Sequence, residues 1–445
     1  MRRTFVLLAG AAVLAGGAAM VGGDDRAPAA SIGGASLAQG AVPVTMPSQS
    51  PAQAAIERAR FEGLADASAP AKPLLGTLID LDHIERVDDH YEAPLKDGRR
   101  AVLTLDPDLQ PLAERLLNES RAPRGGIVVM APDGRILALA GRRTEDTAGS
   151  RDGIFDWRLA TDVWAPAASI FKLVTASALI TAGVGKDEKV CFHGGVRSVS
   201  ESNLIDTKRD SRCESLTFGV SHSNNAILGK LAYQKLVPEG LSGMARALGL
   251  EGALPGTEVP GNAGVMTIPT SLDLSFAKTA AGFMNSRLSV VGGALLGAAF
   301  ATGGEQPIPR LLASIDGATQ PAQKPRRVLP VSTARAVAQM MVATCDSGSA
   351  AKSFRGNRDI SVAGKTGTLS QREPFYMEHS WFVGFAPADK PQVIVSVLLG
   401  NPESWHLRGH EAARRLIDRA LGATGREKDR TAAAPSASKH RKRDL

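Results

Sequence analysis

Ser169-Ile-Phe-Lys-Leu-Val-Thr-Ala-Ser-Ala-Leu-Ile180 sets a hydroxyl and an amine three residues apart inside an apolar run. Residues three apart on a helix share a face. The Lys172 amine can therefore reach the Ser169 hydroxyl and take its proton as the oxygen attacks, which makes the serine an activated nucleophile. Ile170, Phe171, Leu173, Val174, Ala176, Ala178, Leu179 and Ile180 spread around all sides, the pattern of a buried helix. Burial strips water from an ammonium and lowers the lysine pKa from its free value of about 10.4, so that a neutral amine becomes available as a base. The S-x-x-K spacing alone is common and carries little weight.

Two later motifs change that weight. Ser223-Asn224-Asn225 lies within Gly219-Val-Ser-His-Ser-Asn-Asn-Ala-Ile-Leu-Gly-Lys-Leu-Ala232. Ser and Asn favour helix caps, so the same residues also predict the start of a helix over Ala226 to Leu236, and the two readings are compatible. Lys365-Thr366-Gly367-Thr368 follows Ile360-Ser-Val-Ala-Gly364. S-x-x-K, then S-x-N, then K-T-G, in that order, is close to the signature of active-site-serine enzymes that recognise β-lactams.

With these three motifs the chain resembles the transpeptidase domain of penicillin-binding proteins. Thr104-Leu-Asp-Pro-Asp-Leu-Gln110 is similar to that domain's opening segment, and Gly125-Gly-Ile-Val-Val-Met-Ala-Pro-Asp-Gly134 to its first hairpin. His379-Ser-Trp-Phe-Val-Gly-Phe-Ala-Pro387 is similar to the strand after K-T-G. The resemblance implies an α+β fold, β-lactamase/transpeptidase-like, with an antiparallel five-stranded sheet flanked by helices. The serine helix would be buried beside that sheet, with the K-T-G strand on the rim of the cleft. It implies catalytic roles for Ser169, Lys172, Ser223 and Lys365, and substrate binding by Asn225, Thr366, Gly367 and Thr368. Gly367 would let the substrate backbone lie close to the strand, and the backbone N–H groups of Ser169 and Thr368 would form the oxyanion hole.

The implied activity is D,D-transpeptidation through a serine acyl-enzyme, with peptidoglycan stem peptides as substrates, β-lactams as inhibitors and cell-wall synthesis proteins as partners. No cofactor or metal enters this chemistry. The alternatives are a D,D-carboxypeptidase using water as acceptor, a serine β-lactamase, and a non-catalytic cell-wall-binding scaffold. Ala167-Ala168 precede the serine where the family often has Pro-Gly, a departure that bears on the approach to the serine helix.

Local patterns give a compatible architecture. Ile127 to Ala131 and Arg135 to Ala140 are short β-rich runs joined by Pro132-Asp133-Gly134, a hairpin signal. Ile360 to Thr368, Ser380 to Ala386 and Val393 to Leu399 are three more. Helical patterns run over Leu159 to Ala182, Ala226 to Leu236, Thr333 to Thr344 and Glu411 to Leu421. Strands from both ends of the domain would meet in one sheet.

At 445 residues and 43 % hydrophobic the chain can bury one large core. Residues 99–422 are read as the domain and 24–98 as a flexible linker with a short lead-in, in which Ala52 to Leu64 could form a helix. Residues 1–23 carry Arg2-Arg3 before an uncharged Ala/Gly-rich stretch, a signal anchor or signal peptide that would place the domain on the extracytoplasmic, periplasmic face of the cell membrane. Residues 423–445 end in the basic cluster Lys439-His-Arg-Lys-Arg443, which contributes to the net charge of +7. Without interleaved aromatics it reads as a disordered tail and not as a nucleic-acid site.

Cys191 and Cys213 could close a disulfide worth about 3 kcal/mol, the alternative being two free thiols; Cys345 is then the odd one, a packed thiol. Cys191, His193 and Cys213 lack a fourth ligand and the usual spacing for zinc. His406 and His410, four apart, have no H-E-x-x-H context.

Overall fold

Ile127, Val128, Val129 and Met130 are all fully buried, because alternate residues of this strand enter two different cores. The computed structural model describes residues 79–144, 153–256, 258–355, 360–373 and 376–422. The expected anchor at 1–23, the linker to residue 78 with its helix over Ala52 to Leu64, and the tail at 423–445 lie outside them. No helix among the described residues is long and apolar enough to cross a membrane.

The central sheet comprises β1 (Arg124–Met130), β2 (Ile136–Arg143), β3 (Ile154–Phe155), β4 (Ala363–Gln371), β5 (Met377–Ala386) and β6 (Val393–Asn401). Its order is β4-β5-β6-β1-β2-β3 with every pairing antiparallel. Five long strands match the expected five, and the two-residue β3 adds a sixth at one edge. The two ends of the domain meet where Val397 of β6 pairs with Ile127 of β1.

Among the helices that cover the sheet or build the body beside it are α1 (Leu109–Ser120), α2 (Lys172–Thr181), α3 (Asn225–Lys235), α4 (Val290–Ala301), α5 (Val331–Asp346) and α6 (Gly409–Ala420). Ile127, Val129, Val395 and Val397 share a core with Leu116 and Leu117 of α1 and Leu416 and Ile417 of α6. Val128, Met130, Ile394 and Leu398 face the other way, into a core that holds α2 and α4. Each such Val, Leu or Ile contributes about 1.5–3 kcal/mol by leaving water. All nine residues of β6 are buried, which is why that strand reads as a continuous apolar run.

A second five-stranded sheet takes in Glu85–Val87 and His90–Pro94 from the lead-in, then Arg100–Leu103, Leu312–Ile315 and Ala318–Thr319. Cys191 lies opposite Cys213 in a pair of short strands, Lys189–Phe192 and Arg212–Ser215, and the two are disulfide-bonded. Cys345 is a buried free thiol.

The helical pattern over Leu159 to Ala182 is not one helix, and this corrects the sequence reading. The chain forms a short helix over Arg158–Thr161, a two-residue strand at Ala165–Pro166, a 3-10 turn over Ala168–Phe171, and only then α2. Pro166 has no N–H to give and disfavours helical geometry at Ala165. Ala168 is left-handed, at φ 49°, a region that costs a non-glycine residue about 1–2 kcal/mol. Tertiary bonds hold this segment out of helix: Trp381 Nε1 donates to Pro166 O at 2.9 Å and Ala167 N to Ser286 O at 2.9 Å. Ser169 therefore sits in the 3-10 turn and Lys172 begins the α-helix.

Candidate active site

Lys172 is fully buried, so its amine must find all its partners within the protein. It finds three at 2.7 Å: Ser169 Oγ, Asn225 Oδ1 and the carbonyl of Ala281. The two carbonyl oxygens can only accept, and so take two N–H bonds. The third neighbour is a hydroxyl, which can instead donate to the lone pair of a neutral amine. Desolvation holds the Lys172 pKa well below the usual lysine range, and the Lys365 charge lowers it further. The geometry and the lowered pKa agree on a proton acceptor beside a serine.

Each partner is placed by its own local rule. Asn224 caps α3, its side chain accepting from Ile227 N at 3.0 Å, and so Asn225 enters the first turn aimed at Lys172. The helix start expected of Ser223-Asn224-Asn225 is present, and the same segment sets Asn225 against Lys172. Ala281 closes the short helix Leu274–Ala280, and Gly282 follows at φ +84°. A Cβ at Gly282 would lie 2.2 Å from Ala168 O, so only glycine lets this turn lie against the serine segment and present the Ala281 carbonyl.

A second buried lysine closes the other side. Lys365 Nζ donates to Ser223 Oγ at 3.0 Å and to Thr366 O at 2.8 Å. Burial lowers its pKa to about 7, with Cys345 opposing weakly. Ser223 is left-handed, at φ 55°, which turns its hydroxyl into the site at the start of α3. Thr366 and Ser349 share a 2.6 Å hydrogen bond.

Ser169, Ser223, Asn225, Thr366 and Thr368 line a cleft of about 680 Å³, with the two lysines buried behind its wall. The structure thus gathers Ser169, Lys172, Ser223, Asn225, Lys365, Thr366 and Thr368 in one place. Gly367 lies in the same strand between Thr366 and Thr368. Its missing Cβ would point at Trp381 Cβ, 3.1 Å away, and at Ile170 Cγ1 and N, 3.3 and 3.4 Å away. Alternation along β4 turns that position inward, so the missing Cβ makes room for the serine segment.

Several lining residues carried no signature: the Ala281 carbonyl, Ser349, Phe283, Val196 and Arg197. Only a helix stop at Gly282 and the Ser347-Gly-Ser349 turn after α5 could be read ahead of the fold. A larger cavity of about 870 Å³ between α1 and α6 is lined by Arg86, Arg115, Arg415 and other residues, with no serine, threonine, cysteine or lysine among them. No His/Cys/Asp/Glu cluster suited to a metal occurs among the described residues, and His410 is a half-buried residue of α6.

The profile described as the penicillin binding protein transpeptidase domain matches residues 125–419. Penicillin-binding protein PbpB of Mycobacterium tuberculosis is 27 % identical over 348 residues, covering 71 % of this chain and 50 % of that protein. Stage V sporulation protein D of Bacillus subtilis is 28 % identical, with 71 % and 51 % covered. The chain thus spans about half the length of these curated relatives. Penicillin binding protein 3 of M. tuberculosis in its apo form superposes with a TM-score of 0.60 at 26 % identity, covering 76 % of this chain and 81 % of that one.

Proposed function

The chain belongs to the penicillin-binding protein transpeptidase family, and on that premise we propose that it is a D,D-transpeptidase that cross-links peptidoglycan stem peptides through an acyl-enzyme on Ser169. The observation that carries the reading is the Lys172 amine, held by two carbonyls and facing the Ser169 hydroxyl at 2.7 Å. Ser169 Oγ attacks the carbonyl of the penultimate D-alanine while Lys172 accepts its proton. The negative charge that develops on the carbonyl oxygen is met by the backbone N–H groups of Ser169 and Thr368. Ser223, bonded to Lys365, relays the proton that Lys172 accepted to the amine of the terminal D-alanine as the C–N bond breaks, leaving an ester on Ser169 and Lys172 neutral again. An amine from a neighbouring stem peptide then attacks that ester, and the serine regains its proton.

Asn225 would contact the amide side of the donor, and the Thr366 and Thr368 hydroxyls its terminal carboxylate. β-Lactams would acylate the same serine; a relative from M. tuberculosis, penicillin-binding protein A, is known as a penicillin G acyl-enzyme complex. The site would work on the extracytoplasmic face of the cell membrane, where the Arg2-Arg3 segment would deliver it and where partners in cell-wall synthesis would be met. Incubating the purified chain with a pentapeptide donor and an acceptor amine tests this. Cross-linked product is expected, hydrolysed donor alone would make the protein a D,D-carboxypeptidase, and no product at all would leave a binding module.

A further inference from the structure

The turn Gly194-Gly-Val-Arg197 forms one lip of the cleft, with Val196 and Arg197 in its lining. Its backbone is clamped from several directions. Asn225 N donates to Gly195 O at 2.9 Å and Asn225 Nδ2 to Val196 O at 3.0 Å. Gly194 and Gly195 are both left-handed, at φ 58° and 77°, and a Cβ on Gly195 would overlap Ala226 Cβ at 2.2 Å. Just upstream, Asn203 Nδ2 donates to His193 O at 2.8 Å. The base of the loop is closed by the Cys191–Cys213 disulfide and by buried Lys230, which donates to Cys191 O and to Asp210, both at 2.8 Å.

At the end of this fixed turn stands an exposed guanidinium that makes no hydrogen bond or ion pair among the described residues. The acidic side chain in the lining, Glu378, already accepts from the Tyr376 hydroxyl at 3.0 Å. The lysines of the site are spent on Ser169, Asn225 and Ser223. Among the described residues the lining therefore offers one unspent guanidinium, a planar fork that matches a carboxylate through two parallel hydrogen bonds, on a backbone ordered before any ligand arrives.

We propose that Arg197 is a specificity residue that binds a free carboxylate on the acyl-donor peptide, upstream of the D-alanine that acylates Ser169. This rests on the transpeptidase reading, in which Asn225 contacts the amide side of the donor. Asn225 holds the Val196 carbonyl by the same side chain, which sets the neighbouring Arg197 on the Asn225 side of the cleft. The ligand class is a stem peptide whose third residue keeps an ionised side-chain carboxylate, as a diamino diacid does.

The test uses the full chain, one acceptor amine and two donor pentapeptides that differ only in that third-residue group, carboxylate in one and carboxamide in the other. The native chain should turn over the carboxylate donor with a kcat/KM about ten-fold higher, a difference typical of one charge-assisted pair and expressed mainly in KM. Arg197→Gln should erase the preference and leave the carboxamide donor unchanged, while Arg197→Lys should keep part of it. Penicillin labelling of Ser169 should be equal in all three proteins. Equal turnover of both donors by the native chain, or an equal loss on both in Arg197→Gln, would overturn the proposal. Reduced penicillin labelling in Arg197→Gln would overturn it too, by moving Arg197 to the terminal carboxylate. A native chain that is labelled by penicillin yet shows no preference sinks this proposal alone, whereas one that is neither labelled nor active sinks the transpeptidase reading beneath it.

Discussion

Lys172 and Lys365 are both fully buried, and both have pKa values below the lysine norm because burial disfavours the ammonium. In the unfolded chain each titrates near 10.4. Between about pH 7, where folded Lys365 titrates, and that value, the folded protein binds fewer protons than the unfolded one. Stability from this source therefore rises with pH across the window and is lost as pH falls. Lys365→Met should flatten the rise in denaturant midpoint between pH 7 and 10, and an unchanged slope would contradict the depressed pKa. Lys172→Ala should slow penicillin acylation by at least about 10²-fold, the usual cost of a lost general base, as followed by gel fluorescence.

Ala168 gives a third test at this scale. Its left-handed backbone, φ 49°, is one that glycine adopts without strain. Ala168→Gly should raise stability by up to about 1 kcal/mol in a denaturant titration and leave acylation unaltered. The departure from Pro-Gly before the serine thus leaves the turn in place, at a cost borne by one alanine.

Elements were legible in the sequence wherever one neighbour decided them. The strands β1, β5 and β6 follow from short, continuous β-rich apolar runs, and α6 from its amphipathic periodicity. The segment before Ser169 was not, because its apolar residues suit a helix as well as a packed turn. Pro166 was the one local sign, and Trp381, Ser286 and Gly282, more than 100 residues away, complete the answer. The motif residues were legible because their chemistry is tied to spacing. Ala281 was not, since it contributes only a carbonyl, which every residue has.

Gly282 is where that element-level account is most exposed. Gly282→Ala would place a methyl against Ala168 O at a positive φ, and should destabilise the protein by more than about 1 kcal/mol. Penicillin acylation should slow in the same variant, because the Ala281 carbonyl and the serine segment move together. Full acylation at native stability would mean that the turn does not position the base. In the disulfide-closed loop, Cys191→Ser should cost about 3 kcal/mol of stability in non-reducing conditions, and equal midpoints with and without reductant in the native chain would show the bond to be absent in solution.

At the scale of the molecule, the sheet brings β1 and β2, from early in the domain, beside β4 to β6, from its end. The chain between supplies the serine turn, α3 and the Gly282 turn. The three motifs, separated by up to 196 positions between Ser169 and Lys365, meet only because that sheet closes. The proposed cell-wall substrate would also set the place of work. A reporter fused after Leu445 should be active only outside the cytoplasm, and cytoplasmic activity would contradict the proposed location.

Ser169, activated by Lys172, is the proposed acylated nucleophile. Incubation with labelled penicillin, followed by proteolysis and mass spectrometry, reads it directly. The penicilloyl adduct should map to Ser169, persist over many catalytic cycles, and be abolished by Ser169→Ala. An adduct on another residue, or labelling that survives Ser169→Ala, would contradict it.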